Sequence, residues 1–277
     1  MFYYYAHTSH KEGLESVRRG VACLKEAKRR EVEYKLLVND FRAGLVAKEL
    51  GIDGAVTVET IRDIDLVLQR GDTLLVDSSE ELPLRFERYC NDFKVFRMAQ
   101  NCDDKPLFNE QVIYPWLKNT IFIDTAYSTH MPKTKRVLFF GGDSDPQKSI
   151  INYKNFFDSL RMEIVLGHYF FVNYEKELAS IFDVMHESEE YTDLIRTSSD
   201  IITTSVQCAL EAKISGANVI FIAQTPLLEC IRSLFGTFNI SIVDDFNQTM
   251  LRRYLSDKLQ MDTIIPINSV YDTFFSK

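Results

Sequence analysis

The chain lacks the signatures of several large functional classes. It has no run of about eighteen apolar residues, so no segment reads as a membrane-spanning helix. The opening Met1-Phe2-Tyr3-Tyr4-Tyr5-Ala6-His7 carries no basic flank, and its apolar stretch is too short for a secretory signal. The five cysteines, Cys23, Cys90, Cys102, Cys208 and Cys230, form no CxxC pair, and no histidine stands at metal-ligand spacing. Neither a metal nor a cofactor is therefore expected, and a soluble protein of the reducing cytoplasm is. Also missing are GxSxG, Walker A, GxGxxG, HExxH and EF-hand patterns, which removes most of the case for serine hydrolases, P-loop NTPases and zinc enzymes. Basic residues are in deficit, 32 against 40 acidic, giving a net charge of −8 that repels polyanions. Nucleic acid is thus not an expected partner. The densest basic cluster, Arg18, Arg19, Lys25, Lys28, Arg29 and Arg30, is interleaved with Glu15, Glu26, Glu31 and Glu33, as on a solvated helix face.

What is present is an ordinary globular composition, 45% hydrophobic and 26% charged, in a chain of 277 residues. That length suits two α/β units of roughly 130 residues each. Phe2 to Ala6 reads as a buried strand. A polar loop follows, and then a helix with Leu14, Val17, Val21, Leu24 and Ala27 on one side. Strands are expected at 34–38, 55–58, 73–77, 94–98 and 120–124, with helices at 42–50, 60–68 and 81–91. The polar, proline-punctuated stretch Thr129 to Lys135 resembles a linker, placing a boundary near Pro132 and domains at 1–132 and 133–277.

Beyond it, strands are expected at 136–140, 163–166, 201–202 and 219–223, with helices at 150–160, 178–185, 191–197, 209–215 and 227–235. Alternation in both halves predicts an α/β protein with two doubly wound, Rossmann-like domains and an interdomain cleft. The last segment, from about Ser256, is a candidate to cross back onto the first domain.

Two segments in the second half combine residue types suited to a nucleotide. In Val137-Leu138-Phe139-Phe140-Gly141-Gly142-Asp143-Ser144-Asp145-Pro146 a buried strand runs into paired glycines and a turn. Glycines at a strand's carboxyl end let backbone N–H groups approach a diphosphate, and a following helix N-terminus adds a favourable dipole. A plain turn capped by Asp143 or Ser144 is the alternative. In Asp200-Ile201-Ile202-Thr203-Thr204-Ser205-Val206-Gln207 a strand meets a hydroxyl-rich turn, with Glu211 one turn into the next helix. Thr203, Thr204 and Ser205 can donate to phosphate and Glu211 can accept from ribose, or the hydroxyls simply cap the helix.

With Gly167-His168 after the strand between them, these segments resemble the C-terminal half of the GT-B-like UDP-sugar hydrolase of pseudaminic acid biosynthesis, itself similar to the lipid II GlcNAc transferases. The resemblance spans roughly 136–245. It implies a nucleotide-sugar ligand, held by Gly141, Gly142, Asp143, Ser144, Gly167, His168, Thr203, Thr204, Ser205 and Glu211. Its implied role is hydrolysis or glycosyl transfer in bacterial surface or flagellar glycan synthesis. Val206 replaces a glycine of the family's second turn. The family's glycine-x-glycine-histidine motif falls closest to Gly13-Leu14-Glu15-Ser16-Val17-Arg18-Arg19, with Ser16 at the histidine position. Serine has no suitable pKa for general-base work, so His10, His7 and Asp77 become the catalytic candidates, with Glu80 and Glu81 beside Asp77. The departures also suit a GT-B-like chain that has lost catalysis and senses a nucleotide sugar or binds a protein partner.

Overall fold

The computed structural model describes residues 1–158, 160–171, 173–257 and 270–275. Among the described residues the chain forms two compact units, one of Met1–Thr8, Leu14–Asp124 and residues 270–275, the other of Ser9–Gly13 and the chain from Thr125 to Asp257. The sequence pattern placed the linker around Pro132, a few residues after this division.

In the first unit β1 (Phe2–Ala6), α1 (Glu15–Arg29), β2 (Tyr34–Val38), α2 (Phe41–Glu49), β3 (Val56–Thr57), β4 (Thr73–Asp77), α3 (Phe86–Asp92), β5 (Lys94–Met98) and β6 (Gln111–Ile113) alternate along the chain. The sheet is wholly parallel in the order β3-β2-β1-β4-β5-β6. Every residue of β1 is buried, as a central parallel strand covered on both faces requires. Val17, Val21, Leu24 and Ala27 line one face of α1, and Glu31, in the left-handed region, follows its end. Asp40 caps α2 by accepting from the Arg42 N–H.

The second unit repeats the plan with β7 (Thr134–Phe140), α4 (Ser149–Asn152), α5 (Lys154–Phe157), β8 (Glu163–Val165), α6 (Tyr174–Leu178), β9 (Val184–His186), α7 (Tyr191–Thr197), β10 (Ser198–Thr203), α8 (Val206–Ile214), β11 (Asn218–Ala223), α9 (Glu229–Thr237), β12 (Ser241–Asp244) and α10 (Gln248–Ser256). Its parallel order is β12-β11-β10-β7-β8-β9. Phe139 is fully buried, its ring 4.9 Å from that of Phe157 and 6.0 Å from that of Phe182. Burying such a side chain contributes about 2–3 kcal/mol. A short helix α11 (Val270–Phe275) belongs to the first unit, where Phe274 stacks on Phe2 and on Phe122.

Three expectations fail for physical reasons. The apolar run 120–124 is no strand: Ile121, Phe122 and Ile123 are buried, with Phe122 under Tyr271 and Phe274, while Gln111–Ile113 takes the sheet edge. The segment 178–185 is not one helix either. Leu178 and Phe182 share a helical spacing and are both buried, yet Val184–His186 pair with β8 as an edge strand. Tertiary pairing overrides periodicity there. The helix expected at 150–160 divides into α4 and α5. Among the described residues no helix is long and apolar enough to cross a membrane.

Both sheets run third-second-first-fourth-fifth-sixth in chain order. In each, the direction of winding reverses between the first and fourth strands, β1 and β4 in one unit and β7 and β10 in the other. Ligands of open α/β sheets occupy the crevice at the carboxyl ends of such a strand pair, because the two following loops diverge to opposite faces.

Candidate functional site

In the second unit the loops leaving β7 and β10 flank that switch point and are tied together. Thr204 donates through Oγ1 to the Gly141 carbonyl at 2.9 Å, and its N–H donates to the Phe140 carbonyl at 3.3 Å. Gly142 adopts φ +92°, a left-handed conformation that glycine takes without strain. A Cβ on Gly142 would meet nothing closer than 3.9 Å. Ser205 caps α8 by accepting from the Cys208 N–H at 3.1 Å, and Thr203 Oγ1 accepts from the Ser205 N–H at 3.0 Å. Val206, at the glycine position of the expected turn, is the first residue of α8 and outside the left-handed region. The capping reading therefore holds for Ser205, while the nine-residue α8 still points its positive end out of the switch point.

The helix after the glycine turn behaves differently from expectation. Asp145 accepts from the Ser149 and Ile150 N–H groups at 2.7 and 3.0 Å, so a carboxylate of the chain itself fills the N-terminus of α4. Tyr174 also donates its hydroxyl to Asp145 at 2.6 Å, and burial together with this bond pushes the phenol's pKa up. The dipole on offer to a diphosphate is thus that of α8, not that of α4.

The loop after β8 is fastened to the glycine turn through Asp143, which is buried. A Cβ on Gly167 would lie 2.4 Å from the Asp143 carbonyl oxygen, Tyr169 donates its N–H to that oxygen at 2.8 Å, and His168 Nδ1 stands 3.1 Å from Asp143 Oδ1. The short loop Ser9–Gly13, which belongs to this unit, closes by the Glu12 and Gly13 N–H groups donating to the Ser9 carbonyl. Its His10 is exposed, with its ring centroid 5.0 Å from that of Tyr169 and its carbonyl accepting from Ser144 Oγ.

Gly141, Gly142, Asp143, Ser144, Gly167, His168, Thr203, Thr204, Ser205 and His10 therefore share one end of the second sheet. Glu211 does not face it openly. It is 2% exposed, with one oxygen accepting from Tyr191 at 2.7 Å and the other from Gln207 Nε2 at 2.9 Å.

His7 and Asp77 lie in the first unit at the ends of β1 and β4, joined by the His7 N–H donating to the Asp77 carbonyl at 3.0 Å. The Asp77 carboxylate is buried and engaged. Arg19 reaches both its oxygens, from Nε at 2.8 Å and Nη2 at 3.0 Å, and the Tyr4 hydroxyl donates at 2.6 Å. Burial opposes the Arg19 charge, but the Asp77 carboxylate more than offsets it and holds the guanidinium pKa above its ordinary value. Burial, then the same carboxylate, raises that of Tyr4. Ser16 donates to the His7 carbonyl at 2.6 Å, a structural tie across the turn. Glu80 accepts from Tyr5 and Ser78, at 2.5 and 2.9 Å.

The capping role of Asp145, the Arg19 fork and the Tyr191–Glu211–Gln207 cluster are absent from the sequence reading. Gln207 and Glu211 at i,i+4 are a visible helix pair. The partners of Asp145 and Asp77 lie up to 73 residues away and leave no local signal.

No family model and no curated protein matches this sequence. Solved structures match its fold. The Escherichia coli heptosyltransferase WaaC with ADP is 9% identical, with 93% of this chain and 99% of that one covered at a TM-score of 0.52. A Listeria monocytogenes protein assigned as a UDP-N-acetylglucosamine 2-epimerase is 11% identical, covering 96% and 92% at 0.59. The Neisseria meningitidis UDP-GlcNAc 2-epimerase bound to UDP-GlcNAc is 11% identical, covering 92% and 90% at 0.50. The α/β architecture of two parallel six-stranded sheets is thus that of GT-B-like proteins.

Proposed function

We propose that this chain binds a nucleotide sugar, with the diphosphate at the carboxyl ends of β7 and β10. The observation that carries the reading is the switch point itself, where the glycine turn Gly141–Gly142 and the Ser205-capped start of α8 follow the two strands between which the winding reverses. Backbone N–H groups and a helix dipole there suit a developing diphosphate charge. Support comes from structures of the same fold that carry ADP or UDP-GlcNAc. Within this reading the activity is UDP-sugar hydrolysis or glycosyl transfer, in the sense of the pseudaminic acid hydrolase that the motifs resemble. Gly167, His168 and the 203–205 turn complete the site, and His10, on a loop of the same unit, is the candidate for activating the attacking hydroxyl.

A second reading, a nucleotide-sugar sensor without turnover, is favoured by two observations. Ser16 spends its hydroxyl on the His7 carbonyl, and Asp77 is held by Arg19 and Tyr4. Calorimetric titration with UDP, ADP, CMP, GDP and UDP-GlcNAc tests binding, and phosphorus NMR tests release of UDP from UDP-GlcNAc. Binding with turnover supports the enzyme and binding without turnover the sensor. No heat with any nucleotide overturns the proposal.

A further inference from the structure

A carboxylate one turn into α8 is a group able to accept from the hydroxyls of a ribose, and in this chain it is occupied from within. One oxygen of Glu211 accepts from the Tyr191 hydroxyl at 2.7 Å and the other from Gln207 Nε2 at 2.9 Å. All three residues are buried. The two donors reach the carboxylate from different helices, Gln207 from the preceding turn of α8 and Tyr191 from the first position of α7. Tyr191 is itself positioned by the strand that leads into the glycine turn. Its ring meets that of Phe140, the last residue of β7, edge-on at 4.9 Å.

The hydroxyls of the turn before α8 are also engaged with the fold. Thr204 donates to the Gly141 carbonyl, Thr203 Oγ1 accepts from the Ser205 N–H, and Ser205 Oγ accepts from the Cys208 N–H. The helix start therefore addresses a ligand with its dipole and backbone N–H groups, which respond to the charge of a diphosphate and not to the sugar attached to it. A ribose hydroxyl reaching Glu211 would only replace one hydroxyl donor by another. The bond gained from the ligand is the bond lost from Tyr191, and the two nearly cancel.

We infer that Tyr191 makes this site indifferent to the ribose hydroxyls, so that it takes nucleoside diphosphates and their sugar derivatives with ribose and deoxyribose alike. The inference rests on the nucleotide reading of the same switch point and narrows it, because selection then falls on the diphosphate and the groups beyond the ribose. Tyr191 is a positioning residue that acts through Glu211 without touching the ligand.

The test is calorimetric titration of the full chain and of Tyr191→Phe with UDP, deoxy-UDP and dideoxy-UDP. In the wild type the three bind within about threefold of one another, whereas a carboxylate free to read the ribose favours UDP by about ten- to a hundredfold. In Tyr191→Phe the competing hydroxyl is gone and a ribose hydroxyl gains an acceptor, so UDP leads dideoxy-UDP by about tenfold. A purely structural Tyr191 would lower the melting temperature of that variant and leave this ratio unmoved. A lead of UDP beyond about threefold in the wild type overturns the inference and leaves the nucleotide reading standing, as does an unmoved ratio in a folded Tyr191→Phe. If the variant does not fold, the wild-type series alone decides. Binding of none of the three overturns both the inference and the nucleotide reading.

Discussion

Gly167→Ala is the most discriminating perturbation of the fold around the site. The added methyl would lie 2.4 Å from the Asp143 carbonyl oxygen, 2.5 Å from its carbon and 2.7 Å from the Gly142 oxygen. All three are backbone atoms, and the nearest falls 0.6 Å inside the 3.0 Å that real Cβ atoms keep. No rotamer relieves such a clash. The loop after β8 must withdraw, which strains the Tyr169 N–H bond to Asp143 and the His168 contact. Overpacking of this kind costs about 1–3 kcal/mol, and losing the loop's bond adds about 1 kcal/mol. For a unit of this size a loss of about 3 kcal/mol lowers the melting temperature by roughly 6–12 °C.

Gly236→Ala is the matched control. It sits in α9, and a Cβ there meets nothing within 4 Å. Helix propensity alone predicts a gain of about 0.5–1 kcal/mol. Thermal unfolding followed by circular dichroism compares the two. Equal melting temperatures for Gly167→Ala and the wild type would refute the close packing of the two loops.

Two further outcomes follow from buried groups. Asp77→Asn leaves the Arg19 guanidinium short of its counter-charge beside β1 and β4, and costs about 3 kcal/mol in urea-unfolding free energy; a change under about 0.5 kcal/mol would show the pair to be idle. Lys133, which donates to the Arg196 carbonyl at 2.9 Å, has its pKa lowered by burial to about 8. Below pH 8 the folded protein therefore holds a charged amine that burial disfavours. Between pH 8 and the ordinary lysine range the unfolded chain binds more protons, so stability rises with pH. The advantage of Lys133→Met at pH 7 should shrink by pH 10, and a pH-independent difference would contradict this.

Alternating patterns along the chain specified most of the strands and the doubly wound class, because the buried parallel strands Phe2–Ala6, Thr73–Asp77 and Val137–Phe140 read as short apolar runs whatever surrounds them. The glycine turn and the hydroxyl-rich start of α8 were legible for the same local reason: conformational freedom at Gly142 and capping at Ser205 are properties of adjacent residues. Short edge strands were not, since Val184–His186 and Gln111–Ile113 become strands only by pairing with β8 and β5.

The state of the candidate side chains also belonged to tertiary structure. Only folding brings Arg19 and Tyr4 onto Asp77, Tyr191 onto Glu211, or Gly167 and His168 onto Asp143, across separations of 20 to 73 residues. The sequence by itself determined where the central buried strands run and which turns can be tight, because those depend on near neighbours. Which carboxylates are occupied and which imidazole is aimed at one was decided by packing, because a buried charge takes its partner from whatever the fold places within hydrogen-bond reach.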